Sequence, residues 1–72
     1  MPEFAVGEKV RIVLLPPYLK TADPMPMLRP QNILKVGDEG IVTGRNPGGT
    51  WSVRFEKGAY LLDSQYLEAI DS

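Results

Sequence analysis

The sequence predicts a small all-β protein, a five-stranded SH3-like barrel formed by residues 1–72 as a single domain. Three observations predict this fold. Short segments alternate apolar and polar residues, which is typical of strands with one buried face. Glycine and proline separate these segments and mark tight turns. A long segment rich in proline and methionine follows the first strand, and its prolines exclude a regular helix.

A hairpin at the centre of the chain carries the clearest strand pattern. Trp51, Val53 and Phe55 alternate with polar residues, and residues 40–45 contain β-branched side chains that suit a pleated sheet. Residues 46–49 read Asn-Pro-Gly-Gly, in which proline and glycine favour a chain reversal. The pattern therefore predicts two antiparallel strands joined by a tight turn. Because an isolated hairpin is marginally stable in water, other strands must complete its sheet.

Three further strands are predicted on either side of this hairpin. Residues 9–15 alternate until two consecutive prolines end the strand. Residues 59–62 form the fourth strand, residues 63–66 a single 3₁₀ turn, and residues 67–70 the last strand. Closing these strands into a barrel would limit the exposed sheet edges. The alternating faces predict a buried core of Val10, Ile12, Val53, Phe55, Leu61 and Ile70.

The Pro/Met segment, residues 16–31, holds five of the seven prolines of the chain together with several apolar side chains. We interpret it as a long, stiff, partly polyproline-like loop that folds back over the barrel. Loops longer than about 12–15 residues are usually functional or disordered, and the apolar content argues against disorder. Two roles are open for its methionines and leucine. They form a surface for a partner, or they cover an undersized core.

The composition argues against catalysis and against a resident metal or cofactor. The chain has no histidine and no cysteine, so imidazole bases, thiol nucleophiles and zinc or iron–sulfur ligation by cysteine have no source. Eight basic and nine acidic residues give a net charge of −1, which does not favour nucleic acid. No apolar run reaches the length of roughly 20 residues that a membrane span needs. We expect a monomeric, cytoplasmic protein that is not an enzyme.

The candidate partner site is centred on the Pro/Met segment. Methionine and leucine supply apolar area, tyrosine a rigid anchor, and arginine a selective charge. For Trp51 we favour a place in the core, with the lining of a peptide groove as the alternative. The predicted partner-binding residues are Tyr18, Met25, Met27, Leu28, Arg29, Trp51 and Arg54.

Three stretches of the sequence together resemble a known family. Residues 15–30, residues 51–55 and residues 61–68 are similar to the small SipA proteins of cyanobacteria. The resemblance implies a non-enzymatic regulator in two-component signalling and the stress response. Such a regulator would bind the ATP-binding region of a sensor histidine kinase and stimulate its autophosphorylation. The resemblance does not assign individual contact residues.

Two other functions are compatible with the same fold. SH3-like domains of this size also serve as accessory subunits of photosynthetic electron-transport complexes. A barrel that binds RNA or the ribosome is disfavoured by the net charge of −1. An accessory subunit should co-fractionate with membranes, whereas an RNA-binding protein should show a steep dependence of affinity on salt.

Overall fold

The computed structural model describes residues 4–70. Within this range the chain forms seven β-strands and two short 3₁₀ turns. The strands are β1 (Lys9–Ile12), β2 (Tyr18–Thr21), β3 (Leu28–Pro30), β4 (Glu39–Arg45), β5 (Thr50–Phe55), β6 (Gly58–Asp63) and β7 (Leu67–Ala69). The first 3₁₀ turn, Gln31–Ile33, follows β3, and the second, Ser64–Tyr66, precedes β7.

All seven strands belong to one antiparallel sheet with the order β3-β2-β6-β5-β4-β1-β7. The sheet is open, since β3 forms one edge and β7 the other. The all-β prediction is confirmed. The prediction of a closed five-stranded barrel is not, because the Pro/Met segment contributes two strands of its own.

The Pro/Met segment is a hairpin and not an irregular loop. Strand β2 pairs with β3, and its other side pairs with β6. Prolines are compatible with this arrangement because of where they lie: Pro24 and Pro26 are in the turn, and Pro30 is on the edge strand, where no ladder donor is lost. The prolines exclude a regular helix here, as predicted from the sequence. The prediction of an irregular loop is wrong, because the segment forms a hairpin.

One face of the curved sheet encloses the core, and alternation along each strand decides which side chains enter it. The buried apolar residues are Phe4, Val10, Ile12, Leu19, Leu34, Val42, Trp51, Val53, Phe55, Tyr60, Leu62 and Leu67. We call the opposite face of the sheet the outer face. Four of the predicted core residues, Val10, Ile12, Val53 and Phe55, are confirmed.

The other two predicted core residues, Leu61 and Ile70, are only half-buried. In β6, Tyr60 lies opposite Val53, and Leu62 lies opposite Trp51, so Leu61 between them is on the outer face. Ile70 lies just beyond the end of β7. Because residues 59–62 of β6 are all apolar, the sequence pattern does not show which of them face the core.

Strand β4 has two features that depend on close packing against β5. Gly40 is buried, and a Cβ atom at this position would lie 2.8 Å from the carbonyl oxygen of Arg54. The register between β4 and β5 then shifts between Val42 and Gly44, which places Gly44 opposite Ser52. This bulge brings Gly44 to the outer face, although strict alternation would turn it inward.

An ion pair on the outer face joins the first and last strands. The Nε of Arg11 lies 2.8 Å from Oε2 of Glu68 across the β1–β7 pair. Both side chains are about half exposed, so water and salt screen their attraction. A double-mutant cycle of Arg11→Ala and Glu68→Ala, measured by urea denaturation, should give a coupling free energy below about 1 kcal/mol. The coupling should shrink in high salt. A salt-independent coupling well above that value would contradict this description.

Candidate protein-binding surface

The β2–β3 hairpin presents apolar side chains on the outer face. Tyr18 lies opposite Pro30, and Lys20 opposite Leu28. Residues that face each other on antiparallel strands point to the same side of the sheet. Because Leu19, between Tyr18 and Lys20, is buried, these four side chains point outward. Tyr18 is 55% exposed and Leu28 is 64% exposed, so both are available for contact.

The turn between β2 and β3 holds the two predicted methionines. Met25 is 83% exposed and Met27 is 56% exposed. The backbone of Met27 is fixed, because its N–H donates to Oγ1 of Thr21 at 2.8 Å and its carbonyl accepts from the N–H of Thr21 at 2.8 Å. Neither methionine belongs to the core cluster. These two side chains therefore do not cover the core.

The two predicted arginines lie on opposite faces. Arg29 is opposite the buried Leu19, so it is directed away from Tyr18 and Leu28. It lines a cleft of about 420 Å³ together with Lys57. Arg54 is opposite Ala59 on the outer face. The structure thus places Arg54 on the same face as Tyr18 and Leu28, and Arg29 on the other face.

Trp51 is a core residue, as the favoured interpretation predicted. It is buried, and its ring meets Phe4 edge to face with 5.3 Å between the centroids. The guanidinium carbon of Arg45 lies 5.5 Å from the centroid of the same ring. Trp51 is therefore not placed to make a surface contact with a partner.

A groove next to the hairpin contains residues that the sequence analysis did not select. It has a volume of about 320 Å³. Its apolar lining includes Pro16, Tyr18, Leu61 and Tyr66, and its charged side chains are Lys20 and Asp63. The signal that could have found Lys20 and Leu61 is the alternation within β2 and β6, which the surrounding prolines and the apolar run obscured.

Hydrogen bonds hold both walls of this groove. Nε2 of Gln31 donates to the carbonyl of Pro16 at 2.7 Å, and the N–H of Val13 donates to the carbonyl of Tyr66 at 2.9 Å. A surface that is held in place before binding loses less conformational entropy when it docks. The groove is therefore a preorganised feature of the fold.

The free edge of β3 offers few backbone groups to another strand. The N–H of Thr21 bonds the carbonyl of Met27, and bonded pairs alternate along an antiparallel ladder. The backbone of Leu28 and Pro30 therefore points away from β2. Because proline has no N–H, Leu28 supplies the one donor of this edge strand. Contact through side chains is favoured over addition of a partner strand.

Other kinds of site find no support in the part of the chain that the structure describes. Residues 4–70 contain no group of three carboxylate, thiol or imidazole side chains placed to hold a metal ion. The same residues include no helix with the length and hydropathy of a membrane span.

Comparison with known proteins identifies the family. A model of the CRR42-like family, described as Protein CHLORORESPIRATORY REDUCTION 42-like, matches residues 6–67. The chain belongs to the CRR42-like family. It is 42% identical over 67 residues to Protein CHLORORESPIRATORY REDUCTION 42, chloroplastic, of Arabidopsis thaliana. The match covers 92% of this chain and 55% of that relative, so the chain spans about half the length of the curated protein it matches. No solved structure matches.

Membership of the CRR42-like family corrects the resemblance to the SipA proteins. The stretches that carried that resemblance lie almost entirely within the residues that the family model matches. The expected histidine kinase partner and the expected part in two-component signalling and the cyanobacterial stress response are therefore wrong. The cytoplasmic assignment is wrong as well, since the Arabidopsis relative is named as a chloroplastic protein.

Proposed function

We propose that this CRR42-like chain is a non-enzymatic accessory protein of a photosynthetic electron-transport complex, and that it binds a protein of that complex. The name of the Arabidopsis relative refers to chlororespiratory reduction and to the chloroplast, which supports this role over signalling. The chain has no histidine or cysteine, which supports a binding role over catalysis.

The observation that carries the binding role is the outer face of the β2–β3 hairpin. Two large apolar side chains, Tyr18 and Leu28, are exposed on this face, and Met25 and Met27 are exposed in the turn of the same hairpin. Exposed apolar side chains are normal when they are scattered, whereas a contiguous group marks an interaction site. Tyrosine serves well as an anchor of an interface, and methionine adapts to the shape of a partner. We place the contact surface at these four residues, with Arg54 on the outer face of β5.

The element order also supports a relation to SH3-like barrels, which we propose for the fold. Strands β1, β4, β5, β6 and β7 correspond to the five predicted strands, and the second 3₁₀ turn precedes the last of them. In this description the β2–β3 hairpin is an addition at one edge of the sheet. An added edge hairpin that carries the exposed apolar residues is consistent with a surface specialised for binding.

The substitution Leu28→Glu tests this function. Wild-type protein should co-migrate with a pigment-containing complex when detergent-solubilised photosynthetic membranes are separated on a native gel. Leu28→Glu places a charge in the apolar surface, and the fraction that co-migrates at limiting concentration should fall at least tenfold, which corresponds to about 1.4 kcal/mol. Circular dichroism should stay native, because Leu28 is not a core residue.

Val36→Glu is the matched control for this experiment. Val36 is 60% exposed, close to the value for Leu28, but it lies in the turn before β4. Its replacement should leave co-migration unchanged. Wild-type protein that remains entirely in the soluble fraction would contradict the accessory role. Equal losses in both variants would contradict the placement of the surface on the hairpin.

A further inference from the structure

Two cationic side chains, Lys20 and Arg54, lie among the apolar side chains of the outer face. Lys20 lies between Leu28 on β3 and Leu61 on β6. In the adjacent row, Arg54 lies between Ala59 on β6 and Ile41 on β4. Neighbouring strands are about 4.8 Å apart, so both cations are within the reach of one bound segment.

Neither cation is paired with a carboxylate in the part of the chain that the structure describes. Across residues 4–70 the carboxylate–cation pair within 4.0 Å is Arg11–Glu68, and Lys20 and Arg54 have no such partner. Glu39 and Glu56 line the same cleft as Arg54, but neither carboxylate lies within 4.0 Å of its guanidinium nitrogens. Both cations are exposed. Their charge is therefore available to a carboxylate that arrives from outside.

The groove beside Lys20 suits an apolar side chain. Tyr18, Leu61 and Tyr66 supply its apolar lining. Asp63 is the acidic residue of this groove, and it lies two positions beyond Leu61, the residue that faces Lys20. An acidic group of a ligand is therefore favoured at the Lys20 end and repelled at the other.

We propose that the outer face binds an extended segment of a protein partner in which acidic residues flank an apolar or aromatic anchor. The anchor enters the groove between Tyr18 and Tyr66, and the carboxylates pair with Lys20 and Arg54. The inference rests on the proposed function in taking the occupant to be a protein, and it names the chemistry of that protein. Charge complementarity of this kind governs orientation and association rate as well as affinity.

An anionic membrane surface fits these observations less well. Two cations give only a weak attraction to anionic headgroups, and the net charge of the chain is −1. Asp63 in the groove would repel phosphate groups. Strand addition is also disfavoured, because Leu28 supplies the one backbone donor of the β3 edge. These observations favour a segment that lies across the outer face.

Selection from a library of short random peptides tests the proposal without a known partner. The full chain is immobilised, and the enriched peptides are then titrated into labelled protein and followed by amide shifts. Enriched peptides should carry net negative charge next to tyrosine, phenylalanine, tryptophan or leucine. The shifts should map to β2, β5, β6 and the second 3₁₀ turn. The double variant Lys20→Glu/Arg54→Glu should bind these peptides at least tenfold more weakly.

The double variant Arg29→Glu/Lys57→Glu is the matched control. It makes the same change in net charge, but at the cleft directed away from the outer face, and it should bind the peptides as the wild type does. Neutral or basic peptides, no enrichment at all, or equal losses in the two double variants would overturn the proposal. So would sedimentation of the protein with phosphatidylglycerol-containing vesicles that the selected peptides fail to compete.

The two proposals can fail separately. Enriched acidic peptides together with a wild-type protein that never co-migrates with a photosynthetic complex would overturn the proposed function and leave the partner chemistry standing. Co-migration that Leu28→Glu abolishes but Lys20→Glu/Arg54→Glu does not would overturn the partner chemistry alone.

Discussion

The substitution Gly40→Val should destabilise the protein by about 3 kcal/mol, the upper part of the range for overpacked cores. A Cβ atom at this position would lie 2.8 Å from the carbonyl oxygen of Arg54, from Cδ1 of Phe55 and from Cγ1 of Val53. One of these atoms belongs to the backbone of β5, which cannot move without disturbing the ladder on both of its sides. Small proteins have free energies of unfolding near the low end of about 5–15 kcal/mol, so this loss is a large share of the total.

Gly44→Val, in the same strand, provides the control. A Cβ atom at Gly44 would be 3.9 Å from Cβ of Ser52, an ordinary contact on the outer face. The free energy of unfolding should change by no more than about 0.5 kcal/mol. Urea denaturation followed by tryptophan fluorescence measures both variants. Equal midpoints for Gly40→Val and Gly44→Val would show that β4 does not approach β5 as described.

Leu19→Ala should also be severe, with a loss of about 2–5 kcal/mol in the free energy of unfolding. Leu19 is 0% exposed, and it belongs to β2, the first strand of the Pro/Met segment. Truncation removes buried apolar area and leaves a cavity that the surrounding core cannot fully close. The thermal midpoint should fall clearly, and the urea midpoint should move with it.

Leu28→Ala is the counterpart on the other strand of the hairpin. Leu28 is exposed on the outer face, so its truncation should change the free energy of unfolding by no more than about 0.5 kcal/mol. The two leucines lie on adjacent strands of the same hairpin, and only their faces differ. If Leu19→Ala unfolds at the same urea concentration as wild type, the hairpin is not docked on the core.

Much of the sheet follows from local sequence patterns. Strict alternation at Trp51, Val53 and Phe55 predicted both the strand and its buried face, and the turn at residues 46–49 predicted the pairing of β4 with β5. The second 3₁₀ turn was also predicted close to its observed position, Ser64–Tyr66. These elements share one property: each is decided by residues that are near one another in the chain.

The rest depends on contacts between residues that are distant in the chain. Strand β2 is short, and its pairing with β6 joins Thr21 to Tyr60. No local pattern encodes a pairing across such a separation. The prolines of residues 16–31 predict an irregular loop, but proline disfavours only ladder positions and is compatible with turns and edge strands.

Side chains alternate between the two faces of a strand, and this alternation places the predicted site residues on different faces of the sheet. Arg29 and Leu28 are neighbours in sequence, yet on a strand they face opposite sides, so Arg29 is directed away from Tyr18 and Leu28. The sequence predicts a loop at residues 16–31, and a loop does not fix which side chains share a face. This separation therefore does not follow from the sequence. Arg54, from a strand whose alternation was read correctly, does face the same side as Tyr18 and Leu28.

The short, proline-bounded edge of β3 has a consequence for aggregation through that edge. Exposed tyrosine and leucine side chains on an edge strand are ordinarily an aggregation hazard, because further copies can stack through the backbone. Pro26 and Pro30 flank Leu28, so a stacked copy would find almost no hydrogen-bond donors to pair with. Attraction at this edge must therefore come from matching side chains. The apolar side chains of the β3 edge can therefore contact a partner without a backbone ladder that would extend into a fibre.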